Sequence, residues 1–164
     1  MKLKKLIFLS AVAILTVGAH ERHAHAPSVY TDPIRVPIQQ RIDKLQGVID
    51  FSELAARIPG LKIHQLLRQV VQKPTLLVFY NSVNCPPSKE MLKVLKELDH
   101  YMKSIQLNVR VVKINAAQYP SIAQLYNVNK TPKFAMHKQG RFLTERYGEM
   151  EMHELLRFIR TSLQ

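Results

Sequence analysis

Cysteine, tryptophan and glycine are scarce in this chain, and long apolar runs are missing. One cysteine, no tryptophan and five glycines stand among 164 residues, of which 46% are hydrophobic. A single cysteine excludes a disulfide scaffold and a zinc ribbon. No apolar run reaches the roughly 18–20 residues that span a bilayer, which excludes a polytopic membrane protein. No long stretch lacks large apolar side chains either, so disorder is not the main state. What remains suits one ordinary core in one domain. Acidic residues are also few. Against 24 Lys+Arg there are 12 Asp+Glu, a net charge of +12.

The first residues read as a targeting segment. Lys2, Lys4 and Lys5 precede the apolar run Leu6 to Val17, and small residues follow at Gly18-Ala19 and Ala24-His25-Ala26. This is the pattern of a secretory signal, too short for a spanning helix. Cleavage after Ala19 is preferred to cleavage after Ala26, because the latter leaves Pro27 at the new N-terminus. The expected address is periplasmic or secreted, with an endoplasmic-reticulum route left open, and no membrane span survives cleavage. Removing residues 1–19 takes three lysines and no acidic residue, leaving 21 basic against 12 acidic side chains, a net of +9. That charge favours anionic or acidic surfaces and says nothing of fold. Nucleic acid is not expected as a partner, since no helix-turn-helix, paired aromatic or Gly-rich RNA motif occurs. His20, His23 and His25 lack a carboxylate or cysteine at structural spacing, so they read as an unstructured leader and no metal is assigned.

Residues 20–42 carry Pro27, Pro33 and Pro37 and read as an extended arm or linker, with short strands conceivable at 34–38 or 47–50. The domain proper is set at 43–164. Ser52 is taken to start a short helix that Pro59-Gly60 stops. Ile63, Leu66, Leu67, Val70 and Val71 follow the period of a one-sided helix. Thr75 to Tyr80 is a continuous apolar run, the mark of a strand covered on both faces. Pro86 opens a helix whose inner side is Met91, Val94, Leu95, Leu98, Met102 and Ile105. A second buried strand spans 109–114. A short helix at 121–126 meets a left-handed stop at Asn127. Strands at 133–138 and 141–147 flank Gln139-Gly140 as a hairpin, and a last helix starts near Met150. This order gives an α/β fold: a central mixed sheet with helices on both faces.

The one thiol, Cys85, follows a buried strand and stands where a helix begins. A helix N-terminus favours negative charge, so the thiolate gains there. Pro86 and Pro87 offer no N–H, Ser88 offers both N–H and hydroxyl, and Lys89 adds a positive charge nearby. A buried structural cysteine is the alternative reading of position alone. His64, His100, His137 and His153 share no spacing with Asp or Ser that marks a triad, and no Gly-rich phosphate loop exists.

Over about residues 74–164 the chain resembles the thioredoxin family. The resemblance lies in the strand 74–80, in Cys85-Pro86-Pro87-Ser88-Lys89 where the family has Cys-x-x-Cys-Lys, in Tyr126-Asn127-Val128-Asn129-Lys130-Thr131-Pro132, in the strand and turn of 134–140, and in Gly148. It implies a cis Pro132 facing Cys85 across a peptide groove, with Thr131 offering backbone groups to an extended chain. Cys85 and Ser88 would then be catalytic, and Pro87, Lys89, Thr131 and Pro132 would bind substrate. The departures matter as much. Ser88 replaces the resolving cysteine, Asn84 stands where the family has tryptophan, and Val78 and Phe79 occupy the neighbourhood of its buried Asp. A mixed disulfide on Cys85 would therefore need an outside thiol for release.

Two functions follow. In one, a monothiol (CPPS) exchange protein captures, isomerises or shields cysteine-containing proteins, with an external thiol reductant and no cofactor. In the other, a redox-inactive module docks a partner in the Cys85/Pro132 groove, and Cys85 is incidental or links two chains as a disulfide dimer. A self-sufficient dithiol oxidoreductase is not expected.

Overall fold

In the computed structural model residues 35–164 are described, apart from 46, 84 and 106. The export signal read over 1–19, and His20, His23 and His25, lie outside the described residues. The elements run α1 Arg35–Asp43, β1 Val48–Asp50, α2 Phe51–Arg57, α3 Ile63–Val70, β2 Thr75–Tyr80, α4 Pro86–Ile105, β3 Arg110–Asn115, α5 Pro120–Leu125, β4 Lys133–Lys138, β5 Arg141–Tyr147 and α6 Met152–Leu163. None of the described helices is long and apolar enough to cross a membrane.

The five strands lie in the order β1-β3-β2-β4-β5. β3 runs parallel to β1 and β2, β4 runs antiparallel to β2, and β5 returns antiparallel to β4. β2 is central, which accounts for its unbroken apolar sequence: Thr75 to Phe79 are all buried. Alternate residues serve opposite faces. Leu77, Phe79, Val112, Ile114 and Ala135 pack with Phe51, Leu54, Leu66, Val70 and Ile122 from α2, α3 and α5. Leu76, Val78, Val111, Phe134 and Met136 pack with Met91, Leu95, Leu98, Leu155 and Ile159 from α4 and α6. The hairpin turn has Gln139 at φ +54° and Gly140 at φ +75°, the two left-handed residues that a tight right-twisted hairpin requires. Asn127 at φ +49° makes the stop after α5.

Two expectations are corrected. The extended arm 20–42 gives way to α1 from Arg35 onward, and the strand conceived at 34–38 does not form. Pro37 lies in the first turn of α1, where a missing N–H costs nothing. Ile38 and Ile42, one turn apart, turn toward the core, and Ile42 is completely buried. α1 runs across the position set for the domain boundary at 43. Ser52 does not cap α2. Asp50, the last residue of β1, does so, its Oδ1 accepting from the Ser52 N–H at 3.0 Å.

Arg110 ties α1 to the sheet. Its side chain is 4% exposed, and it donates to the carbonyls of Val70 at 2.7 Å and Ile42 at 3.0 Å, with the Asp43 carboxylate 3.4 Å away.

Candidate functional site

The site lies at the edge of the sheet where β2 and β3 end. β2 stops at Tyr80, a loop follows, and α4 begins at Pro86. The Cys85 carbonyl accepts from the Lys89 N–H at 3.2 Å, so the thiol stands at the first turn of a 20-residue helix. Pro86 and Pro87 fill the positions where an N–H would lack a helical partner anyway. Cys85 is neither sealed in nor fully exposed, and it is a free thiol.

Its neighbours come from two elements far apart in sequence. Thr131 Oγ1 lies 3.3 Å from Cys85 Sγ, and the thiol donates to the Thr131 carbonyl at 3.5 Å. The Thr131–Pro132 peptide bond is cis, and Pro132 is buried. Ser88 is completely buried on the inner side of α4, and its hydroxyl oxygen accepts from the Asn81 N–H at 3.2 Å. That acceptance leaves the Ser88 hydroxyl proton free to point at the sulfur. Hydrogen bonds from Ser88, then from Thr131, pull the Cys85 thiol below its ordinary value, against burial and the nearby Glu149 carboxylate.

The Thr131–Pro132 segment is held from behind. The Gly148 N–H donates to the Pro132 carbonyl at 3.0 Å, with Gly148 at φ +90°, a conformation that glycine adopts without strain. Lys133 follows Pro132 and is 1% exposed, its Nζ donating to the Tyr126 carbonyl and pairing with Glu145 at 2.8 Å. The same ammonium stands 4.7 Å from the centre of the Tyr147 ring. The Tyr147 hydroxyl donates to the Asn127 carbonyl at 3.3 Å. Hairpin and α5 stop are thereby fastened together beside the thiol.

Beyond Thr131 a groove of about 830 Å³ opens, lined by Asn81, Ala116, Ala117, Asn127, Lys130 and Thr131. Val83, in the loop before Cys85, is 63% exposed. A groove with small apolar residues and amides along it suits an extended polypeptide better than a compact ligand.

The sequence-predicted residues divide accordingly. Cys85, Ser88, Thr131 and Pro132 converge. Pro87 is half-buried in the first turn of α4, and Lys89 is exposed one turn along. The Glu149 carboxylate acts on the thiol in the direction opposite to that expected of Lys89. Sequence reasoning missed Glu149, Lys133 and Asp50. Asp50 pairs with Lys113 at 3.2 Å and accepts from the Tyr80 hydroxyl at 3.4 Å. Burial, with Asp50 beside it, pushes Tyr80 up to about 12. Val78 and Phe79 are fully buried, so β2 itself carries no carboxylate inside.

Comparison with known proteins agrees with this architecture. The thioredoxin family model matches residues 62–161. Thioredoxin Y2, chloroplastic, of Arabidopsis thaliana is 34% identical over 98 residues, covering 60% of this chain and 56% of that protein. Thioredoxin Y, chloroplastic, of Oryza sativa subsp. japonica is 28% identical over 156 residues, covering 95% of this chain and 80% of the relative. Among solved structures, thioredoxin NaTrxh from Nicotiana alata superposes with a TM-score of 0.54 at 24% identity, covering 72% of this chain and 96% of that one. That likeness is one of fold.

Proposed function

The chain belongs to the thioredoxin family, and from that premise we propose that it is a monothiol thiol–disulfide exchange protein, with Cys85 as nucleophile. The observation that carries this reading is the thiol itself. It is partly exposed and hydrogen-bonded to Ser88 and Thr131, and Thr131 both precedes a buried cis proline and lines an open groove.

The chemistry has two steps. The Cys85 thiolate attacks one sulfur of a disulfide; the new S–S bond forms as the old one breaks, and the second sulfur leaves as a thiolate that water protonates. Ser88 and Thr131 hold the thiolate before attack. Release then requires a second, external thiol, which attacks Cys85 Sγ or its partner sulfur. Ser88 cannot do so, because a hydroxyl at neutral pH is not a competent nucleophile toward sulfur. Thr131 and Pro132 would hold the substrate backbone, with Pro87 and Lys89 flanking it. The substrates are cysteine-containing proteins that present an extended segment. The charged start and apolar run at residues 2–17 support an exported, periplasmic or secreted setting, where disulfides persist.

The test compares tagged wild type with Cys85→Ala after acid quenching and alkylation in the native compartment. Reducible adducts should appear with wild type and disappear with Cys85→Ala. If both forms instead retain one partner with equal affinity and no adduct forms, the chain is a docking module and the exchange reading fails.

A further inference from the structure

The backbone at Glu149 is held by the elements on either side of it. Tyr147 pairs with Lys133 across the hairpin, Gly148 donates to the Pro132 carbonyl at 3.0 Å, and Met150 is buried at 2% exposure. Glu149 itself is exposed between these anchors, next in the chain to the Gly148 whose N–H bonds the carbonyl of the cis Pro132. Thr131, bonded to Pro132, has its Oγ1 3.3 Å from Cys85 Sγ, so this backbone joins Glu149 to the thiol site, and the Glu149 charge opposes ionisation of the thiol. Of the cations flanking the two halves of the site in sequence, Lys89 and Lys130 are exposed, and Lys133 is buried and paired with Glu145 at 2.8 Å. A carboxylate in this position is unexpected in so basic a chain.

Resting on the exchange reading above, we infer that Glu149 is a specificity-determining residue, selecting disulfides with a cationic group beside the sulfur and disfavouring anionic ones. The step is the one already written, in which Cys85 Sγ bonds to one substrate sulfur and the other departs as thiolate. Negative charge then lies on the nucleophile and the leaving group together, beside a third negative group. A substrate cation offsets that repulsion, and a substrate carboxylate adds to it. Segments with Lys or Arg flanking the cysteine are the favoured substrates.

The test uses three symmetric disulfides at low ionic strength, followed by intact mass: cystamine (cationic), 2-hydroxyethyl disulfide (neutral) and 3,3′-dithiodipropionate (anionic). The readout is the cystamine-to-dithiodipropionate rate ratio, compared among wild type, Glu149→Gln and Glu97→Gln. Glu97 is exposed on α4, and its variant makes the same change of net charge elsewhere. Glu149→Gln should lower the ratio about three- to tenfold, with the effect fading as salt rises, while Glu97→Gln leaves it near wild type. Equal ratios for the two variants would overturn the inference and leave the exchange reading standing. Failure of wild type to form any of the three adducts would overturn the exchange reading, and the inference with it.

Discussion

Ser88→Cys should convert the protein into a turning-over disulfide reductase. Ser88 is completely buried in the first turn of α4, on the same side as the Cys85 sulfur with which it shares a hydrogen bond. A sulfur there replaces an oxygen with little change of shape and stands ready to attack a mixed disulfide on Cys85. Internal attack replaces an encounter with a free thiol, and a tethered nucleophile acts at a high effective concentration. Insulin reduction driven by dithiothreitol should therefore accelerate about tenfold or more over wild type. No charged group needs to be added, because the remaining Thr131 contact still holds Cys85. A folded variant, by circular dichroism, that reduces insulin no faster than wild type would show that the surroundings of Cys85 do not support exchange.

The second large effect is on stability. Arg110→Ala removes a guanidinium that holds the carbonyls of Ile42 and Val70 and leaves a cavity where α1, α3 and the start of β3 meet. The ion pair with Asp43 contributes the smaller part, since it is 3.4 Å long and Asp43 is 30% exposed and also paired with Lys73. Lost hydrogen bonds and lost packing together should cost about 2–4 kcal/mol. With an m-value of about 1.5–2 kcal/mol/M, the urea midpoint should fall by about 1–2.7 M. A shift below about 0.3 M would mean that α1 contributes little to the folded domain. The variant should keep its thiol reactivity below the transition, because Arg110 opens β3 and the thiol lies at the other end of the strands.

What was legible in the sequence follows from the range of the interactions. β2 declared itself because burial on both faces leaves an apolar run. The β4–β5 hairpin did so because Gln139-Gly140 supplies two left-handed residues, and α4 because Pro86 and Pro87 suit only a first turn. The pairing of Cys85 with Thr131 and Pro132, 46 residues away in the case of Thr131, was reached only through resemblance to a family. α1 was hidden by Pro37, and its two apolar anchors, Ile38 and Ile42, are too few to make a period without the core that receives them. Asp50 was overlooked as a cap because strand and helix follow without a loop between them. Glu149 and Lys133 carry no local signal at all. Their significance comes from Gly148 and Pro132 meeting across a hydrogen bond.

The central claim is that Cys85 is an activated thiol that forms a mixed disulfide it cannot itself resolve. The most direct measurement is the rate at which the purified chain takes up 2-hydroxyethyl disulfide across a pH series, read by intact mass. Only the thiolate reacts, and the hydrogen bonds from Ser88 and Thr131 lower the thiol's pKa, so reactivity should appear at lower pH than in an ordinary cysteine. The account predicts one adduct per chain, a midpoint below that of a free cysteine measured alongside, and persistence of the adduct until an external thiol is added. A midpoint at or above that of free cysteine, or an adduct that decays with no thiol present, would contradict it.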